Sequence, residues 1–127
     1  MEAKTLVSEI QSEHPEWLKK LKLTKDELSS FDQQLGDVIK KNNISEIARH
    51  VEHFQNQFIR QKEVIDELRH EIKQYENTLE VMPGADLSEP QENLYNHRMA
   101  LIEQMETFEK IYGELKDEYQ KFLNQTS

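Results

Sequence analysis

The sequence predicts an all-α protein, an elongated antiparallel helical bundle built around a long α-hairpin. Three observations predict it. An apolar stripe runs from Ile44 to Met82 in alternating steps of three and four, which keeps its members on one side of a helix. A second line, Leu87, Leu94, Leu101, Phe108, Leu115 and Phe122, repeats every seven residues. Between them stands Pro83-Gly84, which a helix does not readily cross.

Composition agrees. The 127 residues contain only three Gly and three Pro against 32% charged side chains, the signature of long helices. That length provides one domain, 1–127, with no room for a second independent core.

Residues 1–23 carry a weak apolar pattern (Leu6, Val7, Ile10), followed by His14-Pro15-Glu16-Trp17-Leu18. Proline fits a first helical turn, so short N-terminal helices are expected here, docking Trp17, Leu18 and Leu21 along the hairpin. Thr24 and Glu27 have capping-box spacing and predict the start of a helix over 24–41. Lys40 and Lys41 suit its last turn, and Asn42-Asn43 is the break.

The long second helix is expected over 44–82, with Asn43 and Glu46 at its start. Residues 83–88 form the tip loop, and the third helix, 89–123, opens with Ser88 as N-cap and Pro90 in the first turn. A short connection makes the two long helices antiparallel neighbours. The hairpin would extend on the order of 55 Å at 1.5 Å per residue. Placing the loop symmetrically at the tip pairs Phe58 with Leu115, Ile65 with Phe108 and Ile72 with Leu101. Gln61, the one polar residue in the stripe, then faces Tyr112, whose hydroxyl is expected to satisfy its amide and mark the register.

Charge and residue types narrow the function classes. The net charge of −9 argues against a nucleic-acid binder, whose affinity comes from Lys and Arg on phosphates. No cysteine is present, so disulfides and thiolate chemistry are excluded. The first residues lack an apolar core behind a basic start, and no apolar run approaches a membrane span, so a cytoplasmic protein without membrane contact is expected. The basic amphipathic stretch from Trp17 to Leu23 is read as core rather than as a membrane-surface segment.

Chemistry-bearing constellations are weak. His50 and His53 lie three apart, and Glu67 with His70 has the Glu-x-x-His form of di-iron bundles, which need two such motifs facing inward. Here there is one motif, and His53 and His70 fall opposite the seam, so no metal site and no cofactor are expected. The carboxylates lie on polar faces beside lysines and arginines. There is no phosphate loop or serine elbow, and no enzyme activity is expected.

The tip string Asp86-Leu87-Ser88-Glu89 resembles the acidic coiled-coil tip of Gre-type transcript cleavage factors. Those factors insert the tip into the secondary channel of RNA polymerase, where acidic residues help bind a metal ion. The resemblance covers four residues, and the globular C-terminal domain of those factors is missing. It implies a regulator of a large enzyme acting through Asp86 and Glu89. Ser88 as N-cap with Glu89 in the first turn explains the same string by helix capping, and the chain is not assigned to that family.

The stronger functional expectation lies on the faces. Val64 and Val81 on the second helix, and Tyr95, Met99 and Ile102 on the third, widen the stripe in the distal half of the hairpin. A surplus of that kind needs burial by residues 1–22 or by another chain. The sequence therefore points to a non-enzymatic interaction or scaffold protein with protein partners, self-associating as a homodimer through helical faces.

Overall fold

The computed structural model describes residues 3–42, 44–80 and 88–126, with side chains for 14–42, 44–78 and 95–126. Three helices account for them: α1 (Ala3–Lys41), α2 (Ser45–Glu80) and α3 (Ser88–Thr126). They are closely matched in length, at 39, 36 and 39 residues. All three pack against one another in a single bundle.

The expected break within the first 41 residues does not occur. Pro15 lies inside α1 rather than at its start, and Thr24 does not cap a helix but donates its hydroxyl to the Lys20 carbonyl one turn back, at 2.9 Å. The reason is tertiary. His14, Leu21, Leu28 and Leu35 are spaced by seven, as are Trp17, Thr24, Phe31 and Val38, so one apolar face continues through both local start signals. Leu21, Leu28 and Leu35 are fully buried along it, with Trp17, Leu18 and Val38 packed at its margin. Proline costs one ladder bond and strains one turn. Burying this face outweighs that local cost, since each large apolar side chain contributes about 1.5–3 kcal/mol.

α1 ends where expected. The Asn42 backbone N–H and side-chain amide both donate to the Val38 carbonyl at 3.0 Å, and Lys40 and Lys41 occupy the last turn. Asn43 lies outside the described residues.

Direction follows from the cross-helix pairs. Along α1 and α2, His14 meets Glu76, Lys25 meets Asp66 and Asp32 meets Lys62, so the two run antiparallel. Along α1 and α3, Lys20 meets Glu109 and Glu27 meets Lys116; both numbers rise by seven, so these two run parallel. Between α2 and α3, Phe54 meets Tyr119 at 5.4 Å and Tyr75 meets His97 at 4.7 Å between ring centroids. These contacts lie on the antiparallel register of the Phe58/Leu115 and Ile72/Leu101 layers.

The core's densest part is aromatic. Phe31 from α1, Phe54 and Phe58 from α2, and Tyr119 and Phe122 from α3 pack with centroids 4.7 to 6.1 Å apart. Tyr119 sits at the hub, edge-on to Phe58, the geometry that ring quadrupoles favour.

Candidate interaction surfaces

A three-helix bundle has three outer grooves, and here they are closed unequally. The α1/α2 groove is latched by Lys25 to Asp66 at 3.0 Å and Lys62 to Asp32 at 2.8 Å. The α1/α3 groove is latched by Lys20 to Glu109 at 3.1 Å and Lys116 to Glu27 at 3.0 Å. Across the α2/α3 groove, among the described residues, no lysine forms such a bridge; His97 approaches Glu71 at 3.8 Å.

The most organised polar cluster joins α1 to α3. Tyr112 donates its hydroxyl to Glu27, and the Lys116 ammonium donates to the other oxygen of the same carboxylate. Burial alone would raise the Glu27 pKa, but the hydrogen bonds from Tyr112 and Lys116 and the lysine charge outweigh it and hold the carboxyl below its ordinary value. Burial and the neighbouring Glu27 carboxylate together push the Tyr112 phenol up. Further along, the Tyr119 hydroxyl faces the Phe31 carbonyl at 3.2 Å and Gln34 Oε1 at 2.9 Å. Burial, with Asp32 nearby, pushes its pKa up to about 12. These groups tie helices together, each phenol donating to an acceptor on α1.

The register pair is corrected at its polar end. Tyr112 reaches Glu27 and not the Gln61 amide. Gln61 is 5% exposed, and its Oε1 has no hydrogen-bond partner among the described residues. α1 supplies a carboxylate, Glu27, that a phenol prefers to a neutral amide.

The four interaction candidates among the described residues lie on more than one surface. Tyr95, Ile102 and Glu109 are spaced by seven, and Glu109 pairs with Lys20, so this line of α3 faces α1. Ile102 is half-buried there, while Tyr95 and Met99 remain 50% and 43% exposed. Full-length α1 covers part of what a short first helix would have left bare. Val64 belongs to another surface, the α2/α3 groove. Val81 and Asp86 lie outside the described residues, and Glu89 falls in the first turn of α3 with its side chain outside the description.

The α2/α3 groove itself was not anticipated. Facing away from α1, it encloses about 840 Å³ and is lined by Gln61, Val64 and Leu68 from α2 and by Ala100, Thr107 and Ile111 from α3. Ile111 is 46% exposed at its edge. A second, separate depression lies between the same two helices toward the other end of the bundle, between His50, His53 and Phe54 on α2 and Lys121 and Phe122 on α3. A signal existed: Ala100 and Thr107 are small side chains seven apart, flanking the seam line of Leu101 and Phe108.

The histidines are spread out. His53 and His70 are exposed, His50 packs against Phe122 at 5.5 Å, and His14 bonds Glu76 at 2.6 Å. Among the described residues no three His, Asp or Glu side chains are grouped to hold a metal ion. No helix among them is long and apolar enough to cross a membrane. Comparison with protein-family models, with curated proteins and with solved structures finds no match to this chain.

Proposed function

We propose that this chain is a non-enzymatic interaction or scaffold protein that associates with a second copy of itself and presents helical faces to protein partners. The observation that carries the reading is the open α2/α3 groove. Gln61, whose amide oxygen is buried without a partner, lines it with Val64, Ala100 and Ile111, where the other two grooves carry lysine–carboxylate latches. Apolar surface gains from burial against another helix, and a helix that brings a donor would also satisfy the acceptor. The net charge of −9 favours protein over nucleic-acid partners. A framework held by apolar packing and ion pairs suits a reducing compartment, and the reading places the protein in the cytoplasm, which fractionation checks.

The experiment is light scattering across a concentration series on the parent chain and two variants. Ile111→Glu alters the α2/α3 groove; Tyr95→Ser with Met99→Ser alters the exposed apolar side chains near the start of α3. A mass that rises to twice the monomer and is lowered by either variant supports the reading. A strict monomer insensitive to both contradicts it. Charge reversal at Asp86 and Glu89 should leave association intact, and a loss of partner capture by that variant alone would move the function to the tip.

A further inference from the structure

The α2/α3 groove is electrically lopsided. Toward the end where α2 finishes it carries Glu67, Glu71 and Glu103 with His70 among them, and Arg60 near its middle reaches Glu67 at 3.6 Å. Toward the other end it carries Arg49, His50, His53 and Lys121 together with Glu46 and Glu118, so that half is balanced in charge rather than acidic. Between the two halves lies Gln61.

We infer that this groove is the seat of a second copy of the chain, lying antiparallel to the first across a two-fold axis that passes at the level of Gln61. The inference rests on the self-association proposed above and gives it a surface and an orientation.

Symmetry leaves two face-to-face arrangements. An axis parallel to the helices sets like ends together, acidic half on acidic half. An axis perpendicular to them reverses the second copy, so each acidic half meets the half with Arg49 and Lys121. Charge selects the second.

The positions also fit. Phe54, seven residues before Gln61, packs on Tyr119, seven residues after Tyr112, so Gln61 and Tyr112 stand at one level of the bundle. Glu103 lies nine residues before Tyr112 and Lys121 nine after it. Reversal about that level therefore places Glu103 opposite Lys121 of the second copy, twice over. His50, eleven residues before Gln61, falls close to Glu71 of the second copy, ten beyond it, and His53, eight before, falls close to His70, nine beyond. Neither Glu103 nor Lys121 has an ion-pair partner within the chain among the described residues, and both are exposed.

On the axis, the two Gln61 amides come to the same level. A primary amide is both donor and acceptor, so two related by a two-fold can satisfy each other. Turning the Gln61 amide outward into the groove would give its Oε1 the partner it lacks within one chain.

Three variants and one cross-link test this at low ionic strength by sedimentation. Glu103→Lys and Lys121→Glu should each weaken the dimer by about tenfold, and the double variant should restore it. The chain has no cysteine, so one introduced by Arg60→Cys is alone. Arg60 lies one residue from the axis level, and mild oxidation should give a disulfide dimer, whereas Glu109→Cys, on the line of α3 that faces α1, should not. A dimer that ignores the charge reversals and cross-links through position 109 overturns this geometry while leaving self-association standing. A monomer at every concentration overturns both.

Discussion

Tyr112 on α3 donates its hydroxyl to the carboxylate of Glu27 on α1, and Lys116 holds the second oxygen of that carboxylate. One acid thus ties the two parallel helices of the bundle. The Tyr112 hydroxyl is thereby turned away from Gln61, which is left with a buried acceptor.

Removing either partner should destabilise the fold. Glu27→Ala and Tyr112→Phe are each expected to cost about 1 kcal/mol, with a coupling of similar size in the double-mutant cycle, because the carboxylate is partly solvated. Chemical denaturation of the four proteins measures it; purely additive costs would show that the contact contributes nothing.

The same carboxylate makes stability depend on acid. Its folded pKa is lowered, so its contribution is present above the ordinary carboxylate range of the unfolded chain and is lost as pH falls through the folded value. Glu27→Gln should flatten that acid limb in a melting-temperature profile.

Tyr119 acts at the alkaline end. Its phenol is raised from 10.0 to about 12, so its contribution is complete below the unfolded value of 10.0 and lost as pH rises through about 12. Tyr119→Phe keeps the ring stack and removes the hydroxyl, at an expected cost of about 1 kcal/mol. Its phenolate absorbance should appear late in a spectrophotometric titration of the parent and be missing from that of the variant.

Gln61→Leu should raise monomer stability by about 1 kcal/mol in dilute solution, since it removes a buried acceptor without a partner and fills the same seam position with an apolar side chain. A clear loss of stability in the dilute monomer would mean that the amide is satisfied there.

Gly36 and Gly113 lie within α1 and α3, and a Cβ added at either meets nothing within 4 Å. Alanine at each should therefore stabilise the bundle by about 0.5–1 kcal/mol through helix propensity alone. Thermal melts of the single and double variants check it, with additivity expected because the two sites are far apart in sequence and packing.

The seam between α2 and α3 was legible because seven-residue spacing fixes phase without help from the rest of the molecule. Phe54 against Tyr119 and Tyr75 against His97 follow the register that Phe58 and Leu115 imply. α1 was less legible. Pro15, and Thr24 with Glu27, are local start signals, and only the longer line from His14 through Leu35 shows that tertiary burial overrides them. Which side of the bundle each interaction candidate takes is illegible for a related reason. Periodicity says which residues flank a seam, but not on which side of the hairpin a third helix docks. Once α1 lies beside the line of Tyr95, Ile102 and Glu109, Val64 is left on the opposite groove, and Ile111 becomes its neighbour.

The most direct test of the scaffold account is the mass of the full chain in solution, by light scattering over a wide concentration range. The account predicts a concentration-dependent rise from 15.2 kDa to twice that value. A mass that stays at 15.2 kDa throughout would contradict it.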